Sequence, residues 1–220
     1  MSALADVAAA IADRTRARML EELLAGPPLP AGALAVRVGV APSTVSGHLA
    51  RLESAGLVTI TAAGRRREAQ LAGPHVAEAL EALRRLAGDD PRPIGLREVN
   101  GRAALREARS CYDHLAGRAG VALADHLVAR GALTDQFTVP DDAAGYYRDA
   151  FGIDLGSLPG RRPLVRPCTD WTERRPHVAG ALGAALLTSL LERGWVQRRP
   201  DGRALNLKGP GPFRFPPLEP

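Results

Sequence analysis

The sequence predicts a mainly α-helical α+β fold in two domains, with helices interleaved by small β-hairpins. Three observations predict it. Apolar residues recur at helical spacing, as in Val7, Ile11, Met19, Leu20, Leu23 and Leu24, or Val76, Leu80, Leu83 and Leu86. The period switches to alternation only in short runs such as LVTITAAGRRREAQL (57–71), where Val58, Ile60, Ala69 and Leu71 mark two strands. Asp89-Asp90-Pro91-Arg92-Pro93 has the composition of a linker and divides a domain over 1–90 from one over 91–220.

Composition limits the class. With 220 residues and 45% hydrophobic content, the chain can bury a core. No stretch approaches the roughly 18 apolar residues of a membrane span, and no basic segment followed by an apolar run opens the chain, so the expected location is cytoplasmic. Two distant cysteines make no disulfide framework. The net charge of +5 is uneven. Residues 1–90 are neutral, but Arg37, Arg51, Arg65, Arg66 and Arg67 face a single acid, Glu53, between 37 and 67. That local basic face suits nucleic acid. The motifs of common enzyme classes are missing: there is no Gly-rich phosphate loop and no zinc-protease motif, and GSLPG (156–160) does not fit a nucleophile elbow. The chain is therefore read as a non-enzyme.

The first helix is expected over Ala5 to Ala25, stopped by Gly26-Pro27-Pro28, with Arg14, Arg16 and Arg18 on its surface or at a dimer edge. A short helix over Ala31 to Val38 follows, then the turn Gly39 to Pro42, a second helix ending at Gly56, and a hairpin tipped by Ala63-Gly64-Arg65. Two helices joined by a short turn and followed by a basic hairpin form a winged helix-turn-helix pattern. At 100° per residue, turning Val45, Leu49 and Leu52 inward places Ser43, Gly47 and Arg51 outward, with Thr44 and Ser46 flanking and His48 near the boundary. Hydroxyls at the helix start can cap its N–H groups, and that end favours phosphate. Small residues also let the backbone approach a groove, which outweighs the roughly 1 kcal/mol that a mid-helix glycine costs. The expected double-stranded DNA contacts are Ser43, Thr44, Ser46, Gly47, His48, Arg51, Arg65, Arg66 and Arg67. The competing reading is a solvated, capped surface.

In the second half, a long helical region from Leu96 to about Arg130 is expected, interrupted near Gly117 to Gly120. The loop GSLPGRRPLVRP (156–167) and the helix HVAGALGAALLTSLLERG (177–194) come later. Aligning the chain with itself matches Leu49 to Leu187, Leu52 to Leu190, Gly56 to Gly194 and Val58 to Val196, with HLVARGAL (126–133) a fainter echo. A degenerate winged-helix-like segment is therefore expected at about 177–210. Its helix lacks the polar outer face of the first copy. Two motifs carry chemistry: ARSCYDHLAG, with Cys111, Asp113 and His114, and RPCTDWTERRPH, with Cys168, Asp170, Trp171 and His177. On a helix, Cys111 and His114 would share a face and could begin a soft metal site completed by Cys168 with Asp170 or His177. Cys111 and Cys168 could instead form a redox pair, or the motifs could line a pocket for a small effector with Trp171 as its wall. The plainest alternative makes both cysteines buried hydrophobes and DWTERR a turn held by an Asp cap and Arg pairs.

DRTRARMLEELL, VGVAPSTVSGHLARLESAGLV and the arginine-rich hairpin together resemble the ArsR family of winged-helix transcriptional regulators over roughly residues 5–87, here in a long form with a C-terminal extension. The resemblance implies a homodimer packed through its first and last helices, about 5–25 and 74–87. It also implies residues 43–51 in a major groove and a wing, 64–67, along the backbone or minor groove. The family's metal sensors place cysteines where this chain reads Ala35-Val36-Arg37-Val38, and His75 has no paired ligand, so neither of those metal sites carries over. The expected function is a sequence-specific DNA-binding regulator, a homodimeric repressor released by a signal sensed after residue 90: a metal ion, thiol oxidation or a small molecule. The alternatives are an enzyme with a cysteine nucleophile and histidine base, or a protein-binding module on a winged-helix scaffold.

Overall fold

A computed structural model describes residues 3–24, 28–64, 66–88, 96–199 and 202–208. The chain divides into two compact units, 1–86 with 201–203 and 87–200 with 204–220. The expected linker at 89–93 and the wing residue Arg65 lie outside the described residues.

In the first unit, the single helix expected over 5–25 is two: α1 (Ala3–Ile11) and α2 (Arg14–Leu23). Asp13 breaks the run because its carboxylate accepts the Arg16 N–H (2.9 Å) and caps a new helix. Apolar period alone cannot see that break. Arg16, expected on the surface, is 7% exposed. Its guanidinium donates to the Ala9 (2.9 Å) and Ala10 (2.5 Å) carbonyls that α1 leaves unsatisfied at its C-terminal end. A short strand β1 (Leu29–Pro30), not anticipated, precedes α3 (Ala31–Val38), which ends at Gly39 with φ 74°. Then come α4 (Pro42–Ser54), β2 (Val58–Ala63), β3 (Arg66–Leu71) and α5 (Pro74–Ala87). The sheet order is β1-β3-β2, antiparallel throughout, with Ile60 opposite Ala69 and Ala63 opposite Arg66. Leu20, Leu34, Val45, Leu52 and Val58 are buried behind it.

The second unit departs further from expectation. Instead of one interrupted helix over 96–130, there is α6 (Leu96–Glu107), then a hairpin of β4 (Arg109–Cys111) and β5 (His114–Ala116), then α7 (Arg118–Ala129). The two-residue loop Tyr112-Asp113 turns the chain, with Tyr112 at φ 62°, and Cys111 pairs directly with His114. After α8 (Ala144–Phe151), a second hairpin pairs β6 (Arg166–Thr169) with β7 (Pro176–Ala179), placing Cys168 opposite His177. His177 therefore stands on a strand, and the helix that follows, α9, spans Gly180–Glu192. A hairpin of β8 (Val196–Arg198) and β9 (Leu205–Leu207) follows it, the helix-then-hairpin order that the internal match suggests.

These two hairpins belong to a repeat. HLAGRAGVALADHLVARG (114–131) aligns without gaps on HVAGALGAALLTSLLERG (177–194), sharing the His, the Gly that opens the helix and a second Gly three residues on. Gly117 and Gly180 adopt φ 78° and 89°, which only glycine holds without strain. Gly120 and Gly183 let each helix lie on backbone. A Cβ at Gly120 would sit 2.5 Å from the Leu115 carbonyl oxygen and 3.4 Å from the His177 Cβ; at Gly183 it would sit 2.4 Å from that of Val178 and 3.2 Å from the His114 Cβ. Each helix thus packs on its own strand and on the histidine of the other repeat. Gly183→Ala is expected to destabilise the second unit by about 1–3 kcal/mol or more through forced backbone movement. Gly145→Ala, where nothing lies within 4 Å of the added methyl, should be neutral or stabilising. Urea unfolding of both variants checks the contrast.

Candidate nucleic-acid interface and a buried Cys/His cluster

On α4, Val45, Leu49 and Leu52 are buried, while Ser43, Thr44, Ser46, Gly47 and Arg51 are exposed. The helix start differs from expectation. Its cap residue is Ala41, which offers no side-chain acceptor, with Pro42 in the first turn, and Ser46 donates to the Pro42 carbonyl (3.0 Å) instead of capping. The N-terminal N–H groups of α4 thus receive no side-chain cap from Ala41, and they carry the positive end of the helix dipole. His48 is half-buried, its Nδ1 3.4 Å from Arg16 and 3.9 Å from Asp13, so it ties α4 to α2. On β3, Arg66 and Arg67 are exposed. A cleft of about 160 Å³ runs between α4 and the wing, lined by Ser46, Leu49, Glu53, Ile60 and Arg67 among others.

The second unit gathers four residues that the sequence separates. Cys111, His114, Cys168 and His177 are all buried, and one ligand atom from each lies within 4.8 Å of the others. The two Sγ atoms are 4.0 Å apart, and neither cysteine is in a disulfide. The cluster exists because both hairpins place a Cys opposite a His and the strands β5 and β7 lie side by side. The rings of His114 and His177 are 5.1 Å apart.

Each imidazole has a carboxylate behind it. His114 Nδ1 lies 3.2 Å from Asp113 Oδ1, and His177 Nδ1 lies 3.4 Å from Asp170 Oδ2. The Nε2 atoms of both rings are buried without a hydrogen-bond partner, and so is His177 Nδ1, which lies near Asp170 without bonding to it. Two thiols and two imidazole nitrogens gathered this closely are a ligand set of the kind that could hold a soft metal ion, and Asp113 and Asp170 stand near the rings. Burial pushes His177 below the usual imidazole range. Burial also opposes the charged form of His114, but Asp113 and the Cys168 sulfur outweigh it and raise that group. The adjoining Cys111 thiol and then the two imidazoles hold Cys168 well below the ordinary thiol range, against the effect of burial. A thiol favoured as thiolate is the form that binds soft cations.

Asp170 stands behind the donor set and outside it. It accepts from Arg109 (2.8 Å), the Gly117 N–H (2.6 Å) and the N–H and hydroxyl of Thr172. The DWTERR segment is thus an Asp-capped turn as well as part of a site. Trp171, expected as the wall of an effector pocket, stacks on Arg109 at 5.0 Å. A cavity of about 430 Å³ lies elsewhere in this unit, lined by Phe151, Ile153, Leu158, Arg162 and Glu192 among others, and Trp171 is not in its lining. Arg162 links that cavity to the cluster, its Nη1 donating to Asp113 Oδ2 (2.6 Å). Arg109 and Arg162 are the supporting residues that the sequence pattern does not single out, whereas Asp113 belongs to the ARSCYDHLAG motif. The repeat at 114–131 and 177–194, with each His preceded by a cysteine, was the available signal.

Comparison with known proteins agrees with the N-terminal geometry. A helix-turn-helix domain model matches residues 11–61. The uncharacterized HTH-type transcriptional regulator YdfF of Bacillus subtilis is 35% identical over 215 residues, covering 96% of this chain and 95% of that protein. The chain belongs to the ArsR family of HTH-type transcriptional regulators. The regulator is also 44% identical over 109 residues to the HTH-type transcriptional regulator CmtR of Mycobacterium bovis, across 49% of this chain and 88% of that one. The homodimeric winged helix-turn-helix DNA-binding domain of Mb0332 from Mycobacterium bovis, a possible ArsR-family regulator, shares 30% identity over 39% of this chain and 78% of its own, with a TM-score of 0.37. The extension that carries the Cys/His cluster lies within the match to YdfF. The regulator binds DNA, and no helix among its described residues is long and apolar enough to cross a membrane.

Proposed function

We propose that the protein is a cytoplasmic homodimeric repressor that reads its operator through Ser43, Thr44, Ser46, Gly47, His48 and Arg51, and grips phosphates with Arg65, Arg66 and Arg67. The carrying observation is the exposed, hydroxyl-rich face of α4 with the apolar Val45, Leu49 and Leu52 buried behind it. His48 enters as the residue that holds α4 against α2, at the edge of the contact surface. Apolar side chains stand exposed on the helices expected at the dimer seam: Leu4 on α1 at 77%, and Leu83 and Leu86 on α5 at 45% and 84%. Burying them against a second copy removes that cost.

The signal is a divalent cation of the zinc class held by Cys111, His114, Cys168 and His177. The fit rests on the two buried Nε2 atoms that have no partner, which a tetrahedral cation satisfies. Asp113 and Asp170 would orient the rings and raise their basicity. When bound, such an ion supplies charge neutralisation for two buried thiolates and ties the two repeats together. Release from the operator requires dimer states that differ in affinity for the ion.

The test is the salt dependence of operator binding. Each arginine that neutralises a phosphate contributes about one unit to the slope of log K against log salt. Arg66→Ala with Arg67→Ala is expected to flatten that slope by about two units, with binding to all sequences weakened alike. Arg51→Ala and Ser46→Ala are expected to lower operator preference with unfolding unchanged, by about 1–3 kcal/mol for Arg51. An unaltered slope refutes the wing assignment, and unaltered preference refutes the register of α4.

A further inference from the structure

We propose that Cys111 and Cys168 form a peroxide-oxidisable pair whose disulfide and metal-bound states exclude one another, so that the regulator reads oxidant as well as cation at one site. The ejection half of this proposal rests on the metal reading above. The thiol pair stands on its own geometry. The two Sγ atoms are 4.0 Å apart and come from different hairpins, with 57 residues between them in the chain. Among the described residues, their shared apolar cluster holds Ala116 and Ala179 besides themselves. Each alanine lies two residues beyond the histidine of its repeat and brings only a methyl group to the cluster. A disulfide needs the sulfurs at about 2.05 Å, so the two sulfurs must approach by roughly 2 Å.

Of the two, Cys168 is the more accessible, at 8% against 2%, and its chain neighbours Pro167 and Thr169 are exposed. Hydrogen peroxide, a small neutral oxidant, would approach from that side. The Cys168 thiolate attacks one peroxide oxygen. The S–O bond forms, the O–O bond breaks, and the departing hydroxide takes a proton to become water. The Cys111 thiolate then attacks the sulfenic sulfur; the S–S bond forms, the S–O bond breaks, and a second hydroxide leaves as water. Two thiolates give up two electrons, one peroxide accepts them, and solvent supplies two protons. The product lacks both anionic sulfur ligands. Two imidazoles alone do not retain a zinc-class ion against a chelator, so the cation departs as the bond forms.

The experiment uses the full chain loaded with Zn²⁺ at one equivalent, whose metal content is measured first. Stoichiometric hydrogen peroxide is added with a chromogenic chelator present, and thiols are counted and peptides mapped under non-reducing conditions. One zinc released per two thiols lost, with a linked Cys111–Cys168 peptide and recovery after dithiothreitol and zinc, is the expected result. Cys111→Ser and Cys168→Ser should each abolish the linked peptide. A chain that binds zinc but gives no such peptide, or whose cysteines pass to sulfinic acid with the linkage never formed, overturns this proposal alone. A chain that never takes up zinc yet yields the peptide overturns the metal reading, and the mutual exclusion with it.

Discussion

A chain carrying Asp170→Ala is expected to lose about 3–5 kcal/mol of stability in its second unit, because the substitution strands a buried guanidinium. Arg109 and Asp170 are both fully buried, 2.8 Å apart. The same carboxylate also accepts from the Gly117 N–H that opens α7 and from Thr172 and Glu173 in the turn after β6. Removing it leaves these donors and one positive charge without their acceptor. Arg175→Ala, which breaks an exposed pair with Asp125 at 2.7 Å, is the control and should cost less than about 1 kcal/mol. The pH dependence has a definite sign. Burial opposes the Asp170 anion, but Arg109 and His177 outweigh it and hold the group below the ordinary carboxylate range. A folded value below the unfolded one, near 4, means that the stabilisation is full above about pH 4 and fades as pH falls. Urea unfolding from pH 7 to pH 3 should therefore show a steeper acid loss in the wild type than in the variant. Equal stability of the two at pH 7 would refute the role given to the pair.

The second large effect concerns the cluster. Protein purified without chelator is expected to carry about one zinc-class ion per chain, and Cys168→Ser or His177→Ala to carry none. Structural sites of this kind contribute on the order of 10 kcal/mol of apparent binding free energy near neutral pH, so losing one of four ligands should lower affinity by orders of magnitude. Asp113→Asn, which keeps the four donors but weakens the carboxylate behind His114, should lower it only about 10–100-fold. Elemental analysis gives the stoichiometry. Cobalt substitution reports the geometry, since a tetrahedral N₂S₂ site absorbs strongly in the visible. Acidification should release the ion as thiolates and imidazoles take up protons. An ion-free wild type that gains no visible absorption with cobalt would end the metal reading.

Part of this is legible in the amino-acid sequence. Val45, Leu49 and Leu52 fix which side of α4 is buried, and so which side shows Ser43, Gly47 and Arg51, because a helix imposes its own period. The run Ala62 to Arg67 announced a hairpin through Gly64, and α3 falls on Ala31–Val38 as its pattern requires. The extra strand at Leu29–Pro30 carried no pattern, being two residues long and specified by its pairing with Ala69 and Glu68. The helix expected over 5–25 breaks at Asp13 because capping competes with helical period at a single residue. The segment 109–116 reads as helix because two three-residue strands around a two-residue turn are too short to show a period of their own until pairing decides.

The sequence alone determined which side of α4 is buried and which is exposed, and it singled out Cys111, His114 and Cys168 with Asp170 or His177 as the fourth candidate, since periodicity and residue chemistry are local properties. Tertiary structure decided that those donors meet. Cys111 faces His114 only when Tyr112-Asp113 turns the chain, Cys168 faces His177 only across a six-residue turn closed by Asp170, and the two pairs converge only because Gly120 and Gly183 let α7 and α9 lie against backbone. Strand pairing and helix docking join residues that are distant along the chain, and no local preference encodes such contacts.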